Sequence, residues 1–320
     1  MEVFVIQSMV ADDNVLDLSM TEKEFRRQKR RYRARRLIPV FGFLGPYFLL
    51  WVVFLAVPVI WSVWLSFNNG GIVEPARFVG VTNWSRAFQD DELRKSLINT
   101  AYYVVVAIIV VFGLAISLAL LLQRYRRWSN FFKLGLYIPV LVSPIMAGMI
   151  FFFLTHYDMG VLNLILQQLG QDRMNFLGDN PNALLTISAL EIWRGLGFWV
   201  LFFLAGLENV PQDLLDAARV DGAKPFRRFR KVTVPVMRPL ILFALVIALI
   251  FNFQLFDSVQ VLTKGGPVLG TSTVVWFIYR RMFAFQDSGL AYATSVGLLI
   301  LVLCLTIVAY GVLGKKMGKK

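Results

Sequence analysis

The sequence is poor in the residues that build metal centres and disulfide frameworks. Its 320 residues include one cysteine, Cys304, and one histidine, His156. A single thiol closes no disulfide within the chain, and neither residue has a second of its kind for a cysteine- or histidine-based metal site. No G-x-x-x-x-G-K-[ST] stretch occurs, so the loop that cradles nucleotide phosphates in many ATPases is missing. No clustered constellation of nucleophile, base and acid is evident either. The expectation is therefore no catalytic residue, no metal ligand and no cofactor held by this chain. Low-complexity segments and internal repeats are also absent. The first 36 residues hold no apolar core segment, so a cleavable leader is not expected.

What the sequence has is long apolar runs. Hydrophobic residues make up 57% of the chain, against roughly 45–50% in a soluble domain. The excess is gathered into stretches of about 20 residues, the length at which a helix crosses a ~30 Å hydrocarbon layer. Lipid offers no water to backbone amides, so each run is expected to be helical. A β-barrel would alternate apolar and polar residues with period two; here both faces of each run are apolar. The expectation is an all-α, polytopic membrane protein with spans near residues 37–67, 97–122, 132–154, 184–207, 236–256 and 290–313. Pro46 and Pro58 are expected to break or kink the first span, and Pro139 and Pro144 lie within the third.

The basic residues are not spread evenly. The head, residues 1–36, carries nine Lys and Arg, all between Lys23 and Arg36. Together with the loops after spans two and four and the tail, residues 314–320, that side of the membrane holds 24, the opposite loops eight, and Arg194 lies inside span four. Such an imbalance places both termini in the cytoplasm by the positive-inside rule. It also accounts for the net charge of +13 as a topological anchor beside anionic lipid, without nucleic acid as a partner.

The loop of residues 208–235 is long and organised. Pro211 suits a first helical turn, Asp213 and Asp216 suit the positive end of the helix dipole, and Gly222 supplies a C-terminal stop. Pro225 opens a second short helix, 224–232, and Pro235 closes the unit. Ala217 and Ala218 would allow close approach of another backbone. On physical grounds alone, docking of a partner and rest on lipid headgroups stay open. Asp216-Ala217-Ala218, three residues, Gly222, nine residues, then Val232-Thr233-Val234-Pro235 resembles the E-A-A…G…I-x-L-P motif of ABC importer permeases, with Asp for Glu and Val for Ile and Leu. The resemblance implies a six-helix ABC importer permease fold in the inner membrane, whose cytoplasmic coupling helix, carried by Asp216, Ala217, Ala218, Gly222 and Pro235, docks on a separate ATPase that binds ATP and Mg.

Two further segments resemble the sugar-type members of that family. They are Val261 to Pro267 with Thr271 and Thr273, and Val57-Pro58 to Phe67 with Phe78-Val79-Gly80 and Asn83-Trp84. The resemblance covers residues 40–313 and implies a second permease, two ATPase subunits and an extracytoplasmic solute-binding protein as partners. Polar residues inside spans are costly and tend to face a cavity or a partner. By resemblance to maltose-type permeases, the pathway residues are Gly195, Phe198, Asn252, Gln254 and Asp257; a pairing of Glu191 with Arg194, three apart on a helix, is the plainer reading of those two charges. Asn252 and Gln254 bonding neighbouring helices is likewise the plainer reading of those amides. An ion-gradient-driven secondary transporter is the alternative function. It requires essential ionisable groups deep in the spans, and Glu191 and Arg194 are the main ones.

Overall fold

The computed structural model describes residues 42–70, 75–125, 129–178 and 181–314. The basic head and Lys315–Lys320 of the tail lie outside them. The chain divides into two units within its first helix, at Trp61/Ser62.

In the first unit, helix α1 (Gly42–Leu65) runs through both Pro46 and Pro58 instead of breaking there. It accommodates the prolines by a wider turn at Val52–Ala56, where the Val57 amide bonds the Val52 carbonyl. None of residues 42–61 is buried, and the large exposed side chains are Phe, Leu, Trp, Val and Ile with Tyr47. That composition suits contact with lipid on every side.

The second unit is helical apart from one short antiparallel ribbon, β1 (Asn68–Asn69) with β2 (Arg77–Phe78). A short surface helix, α2 (Thr82–Gln89), leads into α3 (Asp91–Arg124). Asp90 caps α3 by accepting the Leu93 amide at 2.9 Å, Asp91 and Glu92 occupy its first turn, and Arg124 its last. Each charge thus sits at the dipole end that favours it. At 34 residues, α3 extends ~50 Å and outruns the hydrocarbon layer. Its partner is α7 (Asn182–Glu208). Ala107, Ala115 and Ala119 on α3 are almost fully buried, as are Val200, Phe203, Leu204 and Leu207 on α7. Small residues on one helix admit large ones from the other, the packing that holds helices together where lipid removes the hydrophobic drive.

The span expected at residues 132–154 is instead two helices, α4 (Ser129–Leu141) and α5 (Pro144–Leu154), bent by 97° at Val142–Ser143. The physical cause is local. A residue before proline is pushed out of the helical region, and Ser143 is extended (φ −61°, ψ 147°). Its hydroxyl then accepts the Met146 amide at 3.3 Å and caps the new helix. α4 lies against α7 so closely that a Cβ at Gly197 would be driven into the Leu136 carbonyl.

After α6 (Val161–Gln168) and α7 comes α8 (Gln212–Val220), then α9 (Pro225–Arg228), which passes through a wider turn at Phe229–Thr233 directly into α10 (Val234–Phe253). The second short helix expected at 224–232 is therefore continuous with the next span. Pro235 does not close the unit; it lies just past the wider turn at Phe229–Thr233, at the beginning of α10. The span expected to end at 256 breaks at Gln254–Phe256 and resumes as α11 (Asp257–Leu262). α12 (Val274–Tyr279) and α13 (Ser288–Gly314) complete the unit. Counting the bent pair as one crossing gives six candidate spans among the described residues.

At the end where α3 begins, arginines counted earlier among the opposite loops form ion pairs. Arg281 meets Asp90 at 2.9 Å and Glu92 at 3.1 Å, Arg280 meets Glu92 at 2.9 Å, and Arg86 pairs with Asp287. They tie the start of α3 and α2 to the segment before α13.

Replacing Gly197 with Leu should force α4 off α7, with an overpacking cost of ~1–3 kcal/mol. A clear drop in the detergent-solubilised melting temperature is expected. Gly113→Ala, whose added Cβ meets nothing within 4 Å, should leave that temperature unchanged or raise it.

Candidate functional site

Two places gather the residues singled out in the sequence. One is a cavity of about 400 Å³, within the ~300–1,000 Å³ range of small-ligand sites. Its walls are the middle of α3 (Tyr103, Ala107, Val111), the bend between α4 and α5 (Val140, Pro144), the middle of α7 (Glu191 to Trp199) and the break between α10 and α11 (Phe251 to Asp257). Both helix breaks of the second unit therefore border it. Irregular backbone at membrane depth is tolerated where it lines a cavity, and discontinuous helices are a recurrent way of building a transporter site.

Gly195, Phe198, Asn252, Gln254 and Asp257 all line this one cavity. Gln254 and Asp257 are exposed to it from the α10–α11 break, Asn252 is half-buried, and Phe198 is 40% exposed. Asn252 Nδ2 donates to the Ala248 carbonyl of its own helix at 2.7 Å, so the expected alternative in which it bonds a neighbouring helix is not the arrangement seen. Phe198 stacks edge-on against Trp199 and in parallel with Phe202. That fixes its ring plane at the cavity wall.

Glu191 and Arg194 do pair, at 2.7 Å, and both line the cavity as well. The second Glu191 oxygen accepts from the hydroxyl of Ser258 on α11, a fully buried residue. Sequence reasoning left Glu191 and Arg194 off the pathway and did not single out Tyr103 or Ser258. The first two carried a signal, since ionisable residues in mid-span point to function. Ser258 carried none, because its role depends on a partner 67 residues away.

The other place is α8. Asp213 is in its first turn, and Arg219 in its last pairs with Asp216 at 2.5 Å. Beyond it Gly222 adopts φ +72°. The Ala223 amide bonds the Ala218 carbonyl at 2.9 Å and the Gly222 amide bonds the Arg219 carbonyl at 3.0 Å, the double closure of a helix ended by a left-handed glycine. Leu215 packs down onto the core. Leu214 (47% exposed), Ala217 and Val220 (89%) face outward, while Ala218 is half-buried. Among the described residues no group of three His, Cys, Asp or Glu is placed to hold a metal.

With this geometry in hand, comparison with known proteins is specific. The family profile described as "Binding-protein-dependent transport system inner membrane component" matches residues 112–319. The trehalose/maltose transport system permease protein MalF of Thermococcus litoralis is 31% identical over 283 residues, spanning 88% of this chain and 94% of that protein. The sn-glycerol-3-phosphate transport system permease protein UgpA of Agrobacterium fabrum is 32% identical over 265 residues, spanning 82% and 90%. The arabinooligosaccharides transport system permease protein AraP of Bacillus subtilis is 30% identical over 280 residues, spanning 87% and 89%. Among solved structures, a bacterial ABC transporter involved in the import of the acidic polysaccharide alginate superposes with a TM-score of 0.79 at 21% identity, covering 91% of this chain and all of that one; at that identity the likeness speaks for the fold. By the profile match and these relatives, the chain belongs to the family of binding-protein-dependent transport system inner membrane components, multi-pass permeases of ABC transporters and not enzymes.

Proposed function

We propose that this permease forms part of the solute path of an ATP-driven importer for a sugar or a related polyol, with the cavity as the path and α8 as the coupling helix. The observation that carries the reading is the convergence of Gly195 and Phe198 from α7 with Asn252, Gln254 and Asp257 from the α10–α11 segment, far apart in sequence, on one cavity. Aromatic faces beside amide and carboxylate groups suit a cargo with flat apolar ring faces and a rim of hydroxyls. The names of the relatives, which include maltose, arabinooligosaccharide and glycerol phosphate systems, support the same class. Partners in this reading are a second permease, two ATPase subunits that bind ATP and Mg, and an extracytoplasmic solute-binding protein. A likeness to an alginate transporter solved with its periplasmic protein supports the last of these. The 24-to-eight split of basic residues supports cytoplasmic termini, which puts α8 on the ATPase side.

Coupling follows from differential affinity. Nucleotide binding closes the ATPases, which move α8, where Asp216 and Ala217 are exposed and Ala218 is half-buried beside them. The rigid turn at Gly222 passes that motion to α10 and so to the break that lines the cavity. Nucleotide can shift the cavity only by binding one of its two states more tightly.

Ala217→Trp keeps the α8 backbone and fills the outward face. Purified from its own host, the variant should retain its melting temperature and lose the ATPase that co-purifies with the wild type. A stable wild-type chain without any ATPase, under conditions that preserve membrane complexes, would favour the ion-driven transporter instead. Asn252→Leu should leave the ATPase bound and slow uptake roughly 5- to 100-fold, as loss of a buried hydrogen bond worth about 1–3 kcal/mol implies; uptake by reconstituted vesicles measures it.

A further inference from the structure

We infer that the Glu191–Arg194 pair makes the cavity select uncharged saccharides and polyols against phosphate- or carboxylate-bearing ones. This rests on the importer reading above and adds the charge class of the cargo.

Three side chains of the charged residue types line the cavity wall: Glu191, Arg194 and Asp257. Arg194 is the one cation among them, and its Nη2 donates to Glu191 Oε2 at 2.7 Å. Glu191 is not free to swing aside, because Oε1 accepts from Ser258 on α11. The carboxylate is thus clamped between two cavity walls and held on the guanidinium. Its side chain is 11% exposed and that of Arg194 is 29% exposed, so solvent screens the pair less than it would on a surface. Asp257 adds a second negative charge and makes no ion pair among the described residues. The wall therefore carries one net negative charge with its only cation already engaged.

An anionic cargo would have to displace Glu191 from both partners or enter without a counter-charge, and a desolvated unpaired anion is strongly disfavoured. A hydroxyl meets no such barrier. It can donate to Asp257 and accept from the Gln254 amide, both of which are exposed on the cavity wall. Arg194 is then a neutralised cation, not an anion trap.

The complex reconstituted with its own binding protein gives the test in two arms. First, the ligand carried by the binding protein is identified by mass spectrometry and its uptake by the wild-type complex is measured. An uncharged saccharide or polyol is expected; a phosphorylated or uronate cargo, transported by an intact ATPase-bearing complex, overturns the inference while leaving the importer reading in place. A chain that binds no ATPase would instead sink the importer reading itself. Second, inorganic phosphate is titrated against uptake. Wild-type uptake should be indifferent to it. Glu191→Gln uncovers Arg194, so phosphate should bind there and inhibit roughly tenfold or more, and adding Arg194→Gln to that variant should abolish the inhibition. Equal phosphate sensitivity in all three complexes contradicts the inference. Should Glu191→Gln fail to assemble, Ser258→Ala releases the carboxylate from one side only, and phosphate inhibition above the wild-type level remains the expected result.

Discussion

A backbone amide in hydrocarbon has no water to bond, and the rest of this structure follows from that constraint. Every helix break at membrane depth must find other partners for the groups it frees. Two such breaks occur among the described residues of the second unit, and both are provided for. At the first, Ser143 accepts the Met146 amide and the Val142 amide bonds the Pro139 carbonyl at 3.2 Å. At the second, the Gln254 and Leu255 amides turn back to Phe251 and Asn252, and Thr273, fully buried, donates to the Leu255 carbonyl at 2.7 Å. With the backbone satisfied, both breaks can border an open space.

The two breaks meet the unbroken pair α3 and α7 around that space. Alanines on α3 bring α7 close, and Gly197 brings α4 close to α7 from another side, so the Glu191 and Phe198 region of α7 faces inward from a fixed position. The Ser258–Glu191–Arg194 chain then joins the α10–α11 wall to the α7 wall. Because α9 runs without interruption into α10, the same wall continues to the α8 turn. The helical path from α9 to the cavity is continuous, and only the tight Gly222 turn separates it from α8.

Much of this was legible in the sequence. The apolar runs pointed to the helices, and Gly222, with acidic residues at the start of α8, pointed to the helix and its glycine turn to within a residue. Five cavity residues were chosen by resemblance and share one wall system. Proline was the ambiguous signal. Pro46 and Pro58 lie in a continuous helix and Pro239 lies inside α10, yet Pro144 opens a new helix at 97° to the last. The difference is not in the proline but in the neighbour: Ser143 is a favoured N-cap residue and caps the freed amides, a start signal masked in the sequence by the apolar run on both sides. Long-range pairs were equally hidden. Ser258 reaches Glu191 across 67 residues and Arg281 reaches Glu92 across 189, contacts that only the assembled helices create.

A structure of the reconstituted complex with its cargo bound, by electron cryomicroscopy, tests the central claim most directly. The account predicts cargo density in this cavity, with a ring face against Phe198 and hydroxyls within hydrogen-bond distance of Asn252, Gln254 or Asp257. Cargo bound elsewhere along the path, with this cavity filled by side chains of the second permease, would contradict it.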